Sequence, residues 1–546
     1  MMNILRQADS VLIQKENINI KNATRTSNVW KLDDVKLELS FCENNLKLYL
    51  TAPESPVMRI GLRWDMKLPA DIKILGDAWE RAYGDLEWRG IVPERIMPWY
   101  VMISSKNKTT GLGVKTAPAA LCFWQIDSNG IWLWLDVRNG GVGVKLADRK
   151  LEAATVVQIK NIENENAFDT TSRFCKMMCD KPRLPDHPVY GGNNWYYAYG
   201  KSSSQKIIED SKLIASWADG IDNKPYMLID ACWQKSIEET GSPIAGAPWN
   251  KTNSDFPDMP ALVTEMKNIG VRPGIWLRPL AAASNTPANL LLPESRAESC
   301  TDIFTRLQTY DPSIPEVLDQ IEKDFNGLID WGFDLIKHDF TTIDIFGRFG
   351  TAGAELTNEN WHFHDQSKTT AEIITNLYKT IRKGTGKAVI IGCNTLSHLA
   401  AGIFEIQRTG EDTSGIVWEQ TRLFGINNLA FRMPQHNAFY AIDGDCVGLT
   451  KNIDWDLNKQ WLELLAKSGT PLFVSASRDA LGKEQEKAIK NAFKIASEYQ
   501  SIGVPIDWMN TTCPSIWNLS GEEVSFDWTN RNKASFMEKF FGTENI

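Results

Sequence analysis

Two patterns of hydrophobic and polar positions divide the chain. From Trp30 to about Val157, apolar and polar residues alternate in short runs between turn residues, as in Val35-Lys36-Leu37-Glu38-Leu39 and Gly130-Ile131-Trp132-Leu133-Trp134-Leu135. A period of two places every second side chain on the same face of a strand, so this region is predicted to be an antiparallel β-sandwich. A Pro-rich joint, Lys181-Pro182-Arg183-Leu184-Pro185-Asp186-His187-Pro188, ends the pattern. Beyond it, short apolar runs at 189–197, 226–230, 272–278, 334–339, 388–393, 403–408, 439–443 and 471–475 alternate with stretches of helical period. The clearest stripe is Val317, Leu318, Ile321, Phe325, Leu328 and Ile329 before Gly332; another is Leu262, Val263, Met266 and Ile269 before Gly270. Eight strand and helix units predict a (β/α)8 barrel. The division expected is a sandwich over 1–180, a catalytic barrel over 181–499 and a small β appendage over 500–546.

In such a barrel the carboxyl ends of the strands share one pocket. The fourth run, Phe333-Asp334-Leu335-Ile336-Lys337-His338-Asp339-Phe340, ends in charge instead of a turn. Alternation points Lys337 and Asp339 one way and His338 the other. Alone, the pair fits a structural ion pair as well as a reaction centre, and His338 fits packing between strand and helix. The other runs end in Asn193-Asn194-Trp195, Asp230-Ala231-Cys232-Trp233, Trp276-Leu277-Arg278, Cys393-Asn394, Arg408-Thr409-Gly410-Glu411-Asp412 and Asp443-Gly444-Asp445. Carboxylates, cations and indoles together suit a sugar: charged partners for hydroxyls, flat faces for C–H surfaces and two carboxyls for acetal chemistry. The segment from Gly76 to Trp88, dense in acids and aromatics and including Asp77 and Trp79, reads as a domain-interface loop or as an arm reaching a neighbouring site.

Composition narrows the partners. The chain has 546 residues, 43% hydrophobic, and a formal net charge of -9, which argues against nucleic acid or an anionic membrane. Nine cysteines without Cys-x-x-Cys spacing read as free thiols, and His362 and His364 lack further ligands nearby, so neither a metal nor another cofactor is expected. No apolar run of about 18 residues and no signal-peptide core is present. On its face the chain is cytoplasmic, or periplasmic or secreted if a leader was trimmed. Homo-oligomerisation stays open.

The succession Ile229-Asp230-Ala231-Cys232-Trp233-Gln234, Trp249-Asn250, Phe256-Pro257-Asp258, Gly274-Ile275-Trp276, Leu335-Ile336-Lys337-His338-Asp339, Arg408 with Asp412 four residues on, and Asp443-Gly444-Asp445 resembles the α-galactosidase clan, glycoside hydrolase families 36 and 27. The N-terminal sandwich is similar to that of family 36. The resemblance implies a retaining glycosidase with Asp339 as nucleophile and Asp412 as acid/base, and Asp230, Trp276, Lys337 and Arg408 holding the sugar. Cys232 and Cys393 come near the pocket by the same pattern, with Cys393 as a weak contact. Arg278, Trp195, Trp233 and Trp79 complete the expected substrate-binding set. Asp412 would need a raised pKa to protonate the leaving oxygen, and Glu411 is the rival acid; the spacing from Arg408 favours Asp412. Asp445 is expected to brace the barrel.

One position departs from the family. A second aspartate usually follows the first after strand two, where the two grip the 4- and 6-hydroxyls of galactose; here it is Ala231. The glycon is therefore galactose, L-arabinopyranose or N-acetylgalactosamine. Transfer to a sugar acceptor, a Schiff-base lyase using Lys337, and a sugar-binding protein without turnover are the alternatives.

Overall fold

The computed structural model describes residues 2–106, 108–240, 246–297, 308–348 and 356–529. Between Ser10 and Lys160 the chain forms one six-stranded and one eight-stranded antiparallel sheet. The alternating runs behave as their period demands. Leu46, Leu48 and Leu50 of one sheet and Ile131, Leu133 and Leu135 of the other are fully buried in one continuous apolar cluster. The first strand, Ser10–Lys15, lies upstream of the region in which alternation is clear. A helix not expected from the sequence follows at Ala167–Met178, capped by the Asn166 side chain accepting from the Asp169 N–H. Its Phe174 lies against Gly111 and Gly113, where any side chain would collide with the ring.

The barrel strands, numbered in chain order, are β1 Tyr190–Asn193, β2 Tyr226–Ile229, β3 Arg272–Leu277, β4 Leu335–His338, β5 Val389–Gly392, β6 Ile406–Arg408, β7 Ala441–Asp443 and β8 Leu472–Ala476. All eight coincide with the predicted runs, and every ladder between them is parallel. The seventh was expected to end at Asp445. Instead it breaks at Gly444 and Asp445 and resumes as Cys446–Leu449: the first half pairs with β6 and the second with β8. These halves are the two edges of the sheet and are joined in the chain by Gly444 and Asp445, so the sheet closes into a barrel at this strand.

The stripe read from Val317 to Ile329 becomes the helix Pro315–Asp330, which buries Val317, Ile321, Phe325 and Leu328. Met259–Ile269 is capped by Asp258 and stopped by Gly270 in the left-handed region. The fifth crossover is different. Its helix is a single turn, Ser397–Ala400, and the sandwich covers the vacant face. His398 stacks on Trp99 with ring centroids 5.2 Å apart, and the Ser397 N–H donates to the Trp79 carbonyl at 3.2 Å. Three short strands, Val504–Pro505, Ile516–Leu519 and Glu522–Ser525, form the C-terminal sheet.

The arm from Gly76 to Trp88 runs from the sandwich onto the barrel. Its Asp77 accepts from Arg432 Nε at 2.9 Å and from Gln435 Nε2 at 2.9 Å, and Arg432 is wholly buried. Arg432→Met would leave Asp77 buried without its cation. We expect a loss of about 3–5 kcal/mol, read as a lower urea midpoint, whereas an unchanged midpoint would show that the pair does not hold the arm.

Candidate active site

Four strand ends meet in one charged cluster. Lys337, on β4, donates from Nζ to Asp230 Oδ2 at 2.9 Å, and the same oxygen accepts from Asn193 Nδ2 at 2.8 Å. Burial would lower the lysine, but Asp230 above all, with Asp339, keeps it well above its ordinary value. It is therefore a fixed ammonium. Asp339, just past β4, accepts from Trp276 Nε1 of β3 at 3.2 Å and from the Phe340 N–H at 2.8 Å. These donors hold a carboxylate and leave it little rotational freedom.

The indoles form a supporting wall. Trp233 donates from Nε1 to the Trp276 carbonyl at 2.8 Å, and Trp249 lies edge-on to Trp276 with centroids 6.0 Å apart. Both are buried, so they position Trp276. At the strand ends four non-glycine residues adopt left-handed backbone: Cys232 at φ 87°, Phe340 at 65°, Asn394 at 54° and Asp445 at 76°. Such conformations cost of order 1–3 kcal/mol each and persist where packing over-determines them, a pattern associated with functional rims.

On the other side, Arg408 of β6 donates from one nitrogen to Asp412 Oδ1 at 3.0 Å and also to Asp445, which Tyr196 contacts too. Asp445 further accepts from the Thr413 N–H and hydroxyl, each at 2.8 Å. It is a brace, as expected. The arm of the sandwich then supplies a residue that sequence reasoning missed: Arg81 lies 2.8 Å from Glu411 Oε2 and 3.6 Å from Asp412 Oδ1. Glu80, beside it, accepts from Asn394 Nδ2 at 2.8 Å, and burial pushes its carboxyl up to about 7.

The two adjacent carboxyls behave oppositely. Burial raises Glu411, and the charge of Asp412 adds to this against the pull of Arg81. Burial also acts upward on Asp412, but Arg408, Arg81 and Lys337 outweigh it and hold that group below the usual aspartate range. The free site thus departs from the requirement for a raised pKa on Asp412, because two guanidiniums face it. Its side chain is still 43% exposed, against 24% for Glu411.

The remaining expected residues are distributed unevenly. Cys393 is buried beside the cluster, with its thiol held protonated by burial and by Asp339. Trp195 is half-buried near Tyr199, with ring centroids 5.8 Å apart. Three of the expected residues have other partners. Arg278 has no side-chain exposure and is committed to Asp344, lying 4.5 Å over the Phe340 ring. Trp233 is the prop described above. Trp79 packs edge-on to Trp99 and Phe123 inside the sandwich. His338 is buried among Phe325, Tyr378 and Phe404, a packing role.

Among the described residues no group of three or more His, Cys, Asp or Glu could hold a metal ion. Nor is any helix long and apolar enough to cross a membrane. A cleft of about 1030 Å³ opens at the opposite end of the strands, lined by His187, Tyr226, Arg272, Asp334 and Glu405 among others. Chemistry, not volume, identifies the site.

A scan against protein-family models finds no match. Comparison of folds gives a clear result. An α-galactosidase of Thermus thermophilus, solved with p-nitrophenyl α-D-galactopyranoside, superposes with a TM-score of 0.59 at 14% identity, over 90% of this chain and 96% of that one. A family 36 α-galactosidase of Geobacillus stearothermophilus, solved with raffinose, gives 0.59 at 13% identity over 90% and 76%. The galactosidase domain of an α-galactosidase-sucrose kinase gives 0.58 at 15% over 96% and 78%. The chain shares their fold.

Proposed function

We propose that this protein is a retaining glycoside hydrolase of the α-galactosidase type, cleaving terminal galacto-configured residues by double displacement. The observation that supports the reading is Asp339, held by Trp276 beside the Lys337–Asp230 pair, with Lys337 also acting on the carboxyl of Asp412 in the loop after β6. Retention needs two carboxyls about 5–5.5 Å apart across the anomeric carbon. In the first step Asp339 attacks that carbon to form a glycosyl ester while Asp412 protonates the departing oxygen. In the second, Asp412 takes a proton from water, which displaces Asp339. Because Arg408 and Arg81 hold Asp412 below the usual aspartate range in the free site, it must gain its proton as the sugar replaces solvent and raises the cost of a bare carboxylate. Asp230, Lys337 and Arg408 are assigned to the hydroxyls, with Cys393 and Trp195 at the margins.

A Schiff-base role for Lys337 is disfavoured, since attack on a carbonyl needs the free amine and Asp230 keeps it an ammonium. Assays with aryl α-galactoside, β-L-arabinopyranoside and α-N-acetylgalactosaminide test the assignment. Hydrolysis of none, despite binding, would favour a sugar-binding protein.

Selectivity should be blunted at carbon 5. Ala231 removes one charged hydroxyl partner, typically worth about 1.5–3 kcal/mol. Neither Asp77, tied to Arg432 and Gln435, nor the buried Trp79 replaces it. Preference for α-galactoside over β-L-arabinopyranoside is expected to be at most about a hundredfold in kcat/KM, and Ala231→Asp should increase it. Strong selectivity unchanged by the substitution would show that another residue reads the 6-hydroxyl.

A further inference from the structure

The arm of the sandwich is clipped to the loop after β6 by two backbone hydrogen bonds, from the Ala82 N–H to the Thr409 carbonyl at 2.9 Å and from the Glu411 N–H to the Ala82 carbonyl at 3.1 Å. They flank Gly410, where an added Cβ would lie 1.9 Å from the Phe424 carbonyl oxygen, so the loop has no slack at this point. Asn428 Nδ2 donates to the same Ala82 carbonyl at 2.8 Å. The residue before the clip is Arg81, 4% exposed, with its guanidinium spanning Glu411 and Asp412. Arg408 serves Asp412 but touches Glu411 only at its carbonyl. Glu411 therefore relies on the sandwich for its side-chain cation.

Resting on the reading of Asp339 and Asp412 as the reacting pair, we propose that Arg81 is a positioning residue for proton transfer, a cation lent by the sandwich that holds Glu411 aside and leaves Asp412 as the carboxyl presented to the glycosidic oxygen. Among the described residues the barrel's nearest cation, Arg408, acts on the Glu411 carboxyl only at longer range, bonding its carbonyl and the Asp412 carboxylate instead. Other charged or titratable groups around the pair are Arg408 of β6, Lys337 of β4, Cys393 after β5, Asp445 in the β7 break, Tyr196 and Tyr199 after β1, and Glu80 and Tyr83 of the arm. Of these, only Arg408 and Lys337 are cations, and both remain when Arg81 is replaced.

The test compares wild type, Arg81→Met and Arg81→Lys on an activated aryl α-galactoside and on an unactivated galactosyl disaccharide. Arg81→Met is expected to lose roughly thirtyfold or more in kcat/KM on the disaccharide and less than about threefold on the aryl substrate, because only the poor leaving group needs a placed proton. Removing a cation favours the protonated carboxyl, so the basic limb of the kcat/KM profile should move up by about one pH unit, with Arg81→Lys near wild type. Equal losses on both substrates with an unmoved limb would overturn the proposal. If Arg81→Met does not fold, Glu411→Gln serves instead. It frees the guanidinium for Asp412 and should move the limb to lower pH; an unmoved limb again overturns the proposal. Asp339→Asn separates the two levels: turnover in that variant defeats the underlying reading, whereas its loss leaves the Arg81 results to bear on Arg81 alone.

Discussion

Asp339→Asn is expected to lose at least about 10⁴-fold in kcat on any aryl α-galactoside while keeping the wild-type unfolding midpoint. The amide nearly preserves volume and can still accept from Trp276 Nε1, whose bond to Asp339 Oδ2 is 3.2 Å long. It cannot form the glycosyl ester. Retention of more than about a tenth of the activity would remove Asp339 from the nucleophile role, since that loss is far smaller than the one expected for deleting an attacking group.

The second large effect belongs to Asp412 and divides by leaving group. Asp412→Ala should slow hydrolysis of natural galactosides by about 10²–10⁴-fold, the usual contribution of a placed acid, but spare the first step with an activated aryl group that departs without protonation. Azide, small and already anionic, should then enter the space of the carboxylate and intercept the ester as a glycosyl azide. Glu411 gives this experiment its edge. Its raised proton affinity and its bond from the Asp412 N–H at 3.0 Å make it the natural competitor. Equal losses on both kinds of substrate without azide rescue, together with that leaving-group pattern in Glu411→Gln, would transfer the acid role to Glu411.

The parts of the fold written in local periodicity were legible from the sequence. All eight barrel strands could be placed because each is a short apolar run bounded by a helical stripe or a turn, and the cluster could be placed because charge at a strand end has few other uses. Lys337 pairs with Asp230, Trp276 with Asp339 and Arg408 with Asp412, and Lys337 feels the charges of both Asp339 and Arg408. What failed depends on contacts distant in sequence. Arg81 touches residues some 330 positions away, and nothing in the Gly76 to Trp88 segment said which of its side chains would reach the barrel. Trp79 was the residue of this segment expected at the sugar, yet its indole packs in the sandwich core. Arg278 sits at a strand end like the others, but Asp344, five residues after Asp339, claims it. The electrostatics of Asp412 were misjudged for the same reason: Arg408 was visible four residues away, the second arginine was not. The break in β7 was hidden too, because Gly444 and Asp445 look like the end of a strand unless one knows that Cys446–Leu449 pairs with β8.

The most direct test of the central claim is to trap the covalent intermediate with an activated 2-deoxy-2-fluoro galactosyl donor and map the labelled peptide by mass spectrometry. Fluorine at carbon 2 destabilises both oxocarbenium-like transition states, and a good leaving group lets the first step outrun the second, so a glycosyl ester accumulates. The account predicts one fluorogalactosyl group per chain, on Asp339, absent in Asp339→Asn. A label on Lys337, Glu411 or Asp412, or turnover that inverts the anomeric configuration without a label, would contradict it.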